Sequence, residues 1–288
     1  MRALATDPAA RGLADDAAVL EFGGEALVLT HDVLVEGVHV LPGQDPADIA
    51  WKLVAVNLSD LAAKGARPIG VLIGHMIGPV IGPMIGDADE RFVQGVREVI
   101  GAYSVPLLGG DTVSGGPPRS WSCTAIGRAT HRPVPSRSGA QVDDLVYISG
   151  PLGAAMLGFE ALRDGTGADS TAYRRPVPRL AEGVALAPQV TAMMDISDGL
   201  LLDAWRMASA SGVTFALDSA AVPVADPKRR AEAMRWGDDY ELLFTAPPGT
   251  PLPVAAHRIG VVAAPGPAPL ILDGIALHDP AGLGYQHH

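Results

Sequence analysis

The stretch Met194-Asp195-Ile196-Ser197-Asp198-Gly199-Leu200 sets two carboxylates three residues apart, with a hydroxyl between them and a glycine beside the second. It joins an apolar run to an amphipathic one, which predicts a strand ending near Asp195 and a helix starting near Ser197. The free N–H groups of a first helical turn favour anions, and Asp side chains hold hard divalent cations. That combination suits phosphate bridged by metal. Other acidic motifs, Asp15-Asp16, Asp32, Asp60, Asp111 and Asp238-Asp239, lie beside expected strand or helix ends. Each alone reads as a turn or cap. Set together in an otherwise apolar interior, they point to convergence on one cation cluster, for which oxygen ligands select magnesium or manganese over zinc. Asp outnumbers Glu 23 to 9, so the short, rigid carboxylate prevails.

Competing chemistries lack their residues. The eight His show no His-x-x-x-His spacing, and there is neither a Gly-x-Ser-x-Gly nor a Cys in a basic setting. Phosphoryl transfer needs no covalent nucleophile, only positioning and charge neutralisation. A net charge of -11 without a Lys/Arg-rich run disfavours nucleic acid as a partner. The single Cys123 rules out an intrachain disulfide and fits a reducing cytoplasm. Nothing reads as a signal peptide. Residues 69–86 are largely apolar, but Pro79 and Pro83 oppose a membrane helix and favour a buried strand at 71–77 running into a loop.

The elements that must position these residues follow from composition and pattern. At 288 residues, 48% hydrophobic but only 5% aromatic, the chain predicts two α/β domains, helices packed on sheets, divided as 1–132 and 133–288. The Pro133/Pro135 segment is the expected crossing. Gly23-Gly24 signals a hairpin between runs at 17–20 and 26–30, with His31-Asp32 following the second run. Asp45, Pro46 and Gly65 bracket a helix over about 46–64. Asn57, Asp60 and Lys64 share a face of it, and a carboxylate among such apolar neighbours needs a partner or a metal. Residues 105–108 predict a short buried strand delivering Gly109-Gly110-Asp111-Thr112. Gly150-Pro151-Leu152-Gly153 resembles a phosphate loop only weakly, because the Lys-Ser/Thr of a P-loop is missing. Arg174, Arg175 and Arg179 could meet an anionic substrate, although pairing with surface acids is the safer reading.

Taken together, Asp-Asp-Ala-Ala-Val-Leu from Asp15, Ala-Val-Asn-Leu-Ser-Asp-Leu-Ala-Ala-Lys-Gly-Ala from Ala55, Leu-Gly-Gly-Asp-Thr from Leu108, Ser-Arg-Ser-Gly-Ala from Ser136, Asp-Ile-Ser-Asp-Gly-Leu from Asp195 and Gly-Asp-Asp-Tyr-Glu-Leu from Gly237 resemble the thiamine-monophosphate kinase family. That family belongs to the superfamily of aminoimidazole ribonucleotide synthetase and selenophosphate synthetase. The resemblance implies an α/β (α+β) fold of two domains with the ATP site in the cleft between them, and a homodimer formed through the N-terminal mixed sheets. It also implies magnesium- and ATP-dependent phosphorylation of thiamine monophosphate. By motif position Asp16, Thr30, Asp32, Asp60, Asp111, Asp195 and Asp198 would serve magnesium, with Asp60 and Asp111 central to catalysis. Gly110, Asp111, Arg137, Ser197 and Tyr103 would hold ATP, and His39, Asp238 and Tyr285 would contact thiamine monophosphate. The chain departs from the family pattern at Ala14 (usually Gly), His31 (usually Thr) and Asp238 (usually Glu). It also starts late and carries an extra loop at 78–86.

Overall fold

The computed structural model describes residues 2–77 and 85–286; most of the extra loop expected at 78–86 lies outside them. The N-terminal unit runs β1 (Ala18–Phe22), β2 (Glu25–Val35), α1 (Pro46–Ala63), β3 (Ala66–Ile77), α2 (Ile85–Tyr103), β4 (Leu107–Ser114) and β5 (Ser120–Ala129). Its sheet has the order β1-β2-β5-β3-β4, parallel only between β3 and β4. Gly23 and Gly24 close the β1–β2 hairpin, both at positive φ as a two-residue turn of matching twist requires. The runs at 26–30 and 33–35 are one strand, because β5 pairs with β2 from Leu27 to Val35. Asp32 is therefore held mid-strand rather than after a strand end.

The second unit runs β6 (Leu145–Ile148), α3 (Ala154–Arg163), α4 (Thr171–Arg174), α5 (Leu180–Leu186), β7 (Ala192–Asp195), α6 (Leu200–Ser211) and β8 (Thr214–Leu217). It finishes with α7 (Arg230–Trp236), β9 (Leu242–Ala246), β10 (His257–Ala263), β11 (Leu270–Leu272) and β12 (Ile275–Leu277). Its mixed sheet is ordered β12-β11-β8-β10-β6-β9-β7, which leaves β7 at the edge nearest the first unit. Each sheet has its own apolar core, one around Leu53, Val71 and Cys123, the other around Ile148, Leu201 and Phe215. The two-domain α/β expectation holds. Among the described residues, no helix is long and apolar enough to cross a membrane.

Helix α1 joins the units. Asp45 caps it by accepting from the Ala47 N–H at 2.9 Å, Pro46 occupies the first turn, and Gly65 at φ 57 ends it. Fifteen of its residues are buried, which a helix packed on one side only would not show. One side lies on the N-terminal core. The other meets Leu186, Met193, Leu242 and Phe244 of the second unit through Ala62 and Ala63. Strand β4 departs from expectation: it begins at Leu107, contains Gly109 to Thr112 within it, and is exposed along its length as the sheet edge.

Candidate active site

The carboxylates of Asp16, Asp60 and Asp195 converge, their nearest oxygens all within 4.8 Å of one another. Three elements supply them: the turn before β1, the last part of α1 and the C-terminal end of β7. Ser59 donates to Asp195 Oδ2 at 2.6 Å, and the buried Thr30 hydroxyl donates to Asp60 Oδ2. Asn57 accepts from the Asp32 N–H at 3.2 Å and so ties β2 to the same helix. The fully buried Lys64 lies 2.5 Å from Asp15 and 2.6 Å from Asp16 Oδ2, while Arg137 holds Asp16 Oδ1 at 2.5 Å. Lys64 approaches Asp16 Oδ2 as a charge contact without hydrogen-bond geometry. That buried oxygen thus has no donor among the described residues.

The electrostatics mark an unfinished site. Burial, then the charges of Asp32, Asp195 and Asp16, holds Asp60 well above the usual carboxylate range. Burial, followed by Asp16, pushes Asp195 up to about 8. Asp32 is raised chiefly by burial, with His31 opposing and Asp16 and Asp198 adding to the rise. Asp15 shows the contrast: burial would raise it, but Lys64 and Arg11 together hold it below the usual range. Crowded oxygen donors that repel one another, beside an acceptor lacking a donor, fit a hard divalent cation.

The metal-side loop differs in one respect from its sequence reading. Strand β7 ends at Asp195 as expected, but α6 begins only at Leu200. The N–H groups of Ser197 and Asp198 are not free for an anion: both donate to Asp203 Oδ2, at 3.1 and 3.0 Å. Arg206 joins Asp203 to Asp198 at 3.0 and 2.5 Å. Asp203 escaped the sequence reading, although an acid early in a helix is a plausible partner for the N–H groups just before it.

Beside this cluster a cavity of about 800 Å³ runs along α1, lined by Asp32, Asp60, Asp195, Ser197 and Asp198 together with His39, Asp238 and Tyr285, and the Tyr285 N–H donates to the Asp198 carbonyl at 2.8 Å. Phe159, Tyr173, Trp236 and Tyr240 give the cavity aromatic walls. The Asp195–Asp198 and Asp238–Tyr240 segments are joined through backbone, since Asp238 N–H donates to the Ser197 carbonyl and Tyr240 N–H to that of Ile196. Lys52 on α1 reaches Asp238 Oδ2 at 2.8 Å, a pairing across the domains that sequence spacing gives no means to find.

Other candidates lie apart. Gly110 and Asp111 sit on β4, three strand spacings, or about 14 Å, from β2. The pairing register sets Asp111 level with Gly74, Ser122 and Val33, on the opposite sheet face to Asp32. Tyr103 packs edge-on against Trp51, 6.0 Å between ring centroids. None of the three lines the cavity. Asp239 turns away from its neighbour Asp238, accepting from Gly153 N–H at 2.8 Å. An internal carboxylate therefore occupies the end of the Gly150–Gly153 loop, where α3 begins. The arginines meet acids rather than substrate: Arg174 and Arg175 each lie 2.5 Å from the buried Asp48, and Arg179 grips Glu241.

Comparison with known proteins agrees with this architecture. The models of the AIR synthase related protein N-terminal and C-terminal domains match residues 14–129 and 141–265. The thiamine-monophosphate kinase of Escherichia coli (strain K12) is 35% identical over 257 residues, covering 82% of this chain and 76% of that protein. A solved structure described as AaThiL complexed with AMPPCP and TMP superposes with a TM-score of 0.83 at 30% identity, covering 92% of this chain and 89% of that one. The thiamine-monophosphate kinase from Stenotrophomonas maltophilia K279a gives 0.80 at 33%, covering 96% and 94%. With both domains matched in order and identity sustained over most of each protein, the chain belongs to the thiamine-monophosphate kinase family.

Proposed function

We propose that this chain is a kinase that transfers the γ-phosphoryl group of ATP to the phosphate of thiamine monophosphate, giving thiamine diphosphate and ADP. The observation that carries this reading is a single cavity whose lining combines Asp60 and Asp195 of the carboxylate cluster with the aromatic rings of Phe159, Tyr173, Trp236 and Tyr240 and the polar groups of His39 and Asp238. Its length along α1 suits a substrate held by its rings while its phosphate meets the metal end. Lys52 and Asp60 are eight residues apart, about 12 Å of helix rise.

Asp16, Asp60 and Asp195 would hold magnesium, with Asp32, Asp198 and Thr30 beside them. Magnesium, when bound there, would neutralise the phosphates and hold them for in-line transfer. The remaining work falls to the chain. Lys64 and Arg137 fix Asp16, and Ser59 and Thr30 orient Asp195 and Asp60. Ser197 faces the ATP end of the cavity, and His39, Asp238 and Tyr285 face the thiamine end. The accepting phosphate is largely ionised near neutral pH, so no general base is required.

The domain division falls between residues 132 and 133. A homodimer forms through the N-terminal sheet, whose β4 edge and outer face expose Leu72, Leu107, Leu108 and Val113. In that dimer Gly110 and Asp111 would stand at the interface, outside the carboxylate cluster of their own chain. The single buried thiol fits a cytoplasmic setting. Incubation with ATP, magnesium and thiamine monophosphate should form ADP and thiamine diphosphate one for one. ADP formation without thiamine diphosphate would contradict the reading.

A further inference from the structure

Lys52 is almost fully buried, 1% exposed, and does not line the cavity. Its ammonium nonetheless touches three residues around the thiamine end: Asp238 Oδ2 at 2.8 Å, the His39 carbonyl at 3.3 Å and the Tyr173 ring at 4.0 Å from its centroid. Tyr173 donates to the same His39 carbonyl at 3.2 Å, and Tyr240 donates to Asp238 Oδ1 at 2.9 Å. Both oxygens of Asp238 are thereby fixed, one from α1 of the first domain and one from its own loop. The loop has reason to need fixing. Asp238 and Tyr240 lie at φ 59 and 53, a region non-glycine residues rarely adopt, and Gly237 could not carry a Cβ without meeting the Ser197 carbonyl at 2.5 Å.

We propose that Lys52 is a positioning residue that fixes Asp238 and the His39 turn across the domain boundary, and thereby sets the recognition of the thiamine end of the substrate. This rests on the substrate assignment above. The geometry reconciles two needs. Thiamine presents a cationic thiazolium and an aminopyrimidine, which a carboxylate and aromatic walls accommodate and a free ammonium would repel. Neutralised by Asp238 and covered by Tyr173, Lys52 aims the carboxylate without offering its own charge to the cavity.

The test compares Lys52→Met and Lys52→Arg with the wild-type chain. Turnover is measured against both substrates, thiamine monophosphate binding by calorimetry without ATP, and the thermal midpoint by scanning fluorimetry. The expected result for Lys52→Met is a rise of about tenfold in KM for thiamine monophosphate with KM for ATP changed less than about twofold, and Lys52→Arg should recover most of the loss. Equal rises in both KM values, an unchanged KM for thiamine monophosphate, or an Arg variant no better than Met would overturn the proposal. If Lys52→Met fails to fold, Lys52→Gln takes its place and is judged by the same split between the two KM values and by the same recovery in Lys52→Arg. A wild-type chain that binds thiamine monophosphate without turning it over would defeat the kinase reading alone; calorimetric affinities then judge Lys52, and equal affinities count against it. Absence of binding by the wild type overturns both.

Discussion

Asp60 is the residue whose surroundings oppose it most consistently. It lies in a buried helix beside three other carboxylates, with Thr30 as its side-chain hydrogen-bond donor among the described residues. Replacing it by Asn removes a repelling charge, so the metal-free Asp60→Asn protein should melt no lower than wild type, while its turnover falls by about a hundredfold or more. Scanning fluorimetry and a product assay check the two halves. A second expectation concerns pH. In the metal-free native state Asp195 keeps its proton up to about 8, whereas the unfolded chain releases it near 3.8. The native state thus binds more protons across that window, and metal-free stability should fall as pH rises from about 4 to 8. Thermal midpoints taken without divalent cations should show this decline, and magnesium should reduce it. Asp16, Asp60 and Asp195 were legible in the sequence because each is a charged residue beside an apolar run. Lys52 and Asp203 were not. Their importance comes from partners brought near by the fold, and Lys52 looks like an ordinary helix lysine until Asp238 stands opposite it.

Among the elements, α1 decides the site. Its start was readable from Asp45-Pro46 and its end from Gly65, but its burial on both sides was visible only as an unusual lack of charge. The fit is close at α5, where a Cβ on Gly183 would come 2.0 Å from the Ala62 carbonyl. Gly183→Ala must therefore push α5 off the helix that carries Asp60 and Lys64. A loss of about 1–3 kcal/mol is expected, measured as a lower urea midpoint, and turnover should fall with it. An unchanged midpoint would show that the two helices part without cost. Strand β4 shows the opposite limit of sequence reading. Leu107 and Leu108 look like core residues, yet they lie at the sheet edge and are exposed, because apolarity alone does not distinguish a core from a surface awaiting a partner.

At the scale of the molecule, the two-domain α/β architecture was legible in the sequence, whereas the contacts that dock the domains were not. That docking places β7 and the Asp238 loop against α1 and so turns scattered acids into one cleft. The exposed β4 edge makes a further claim about assembly. Val113→Glu should shift the chain from dimer to monomer in sedimentation at micromolar concentration, and an unchanged mass would remove this face from the interface. The claim that joins all scales is that phosphoryl transfer to thiamine monophosphate depends on a cation held by the carboxylate cluster. Its most direct test is thiamine diphosphate formation titrated with magnesium in wild type and in Asp60→Asn. The account predicts saturable magnesium dependence in wild type, and in the variant a rate lower by about a hundredfold or a requirement for far more magnesium. Equal rates at equal magnesium in the two proteins would contradict it.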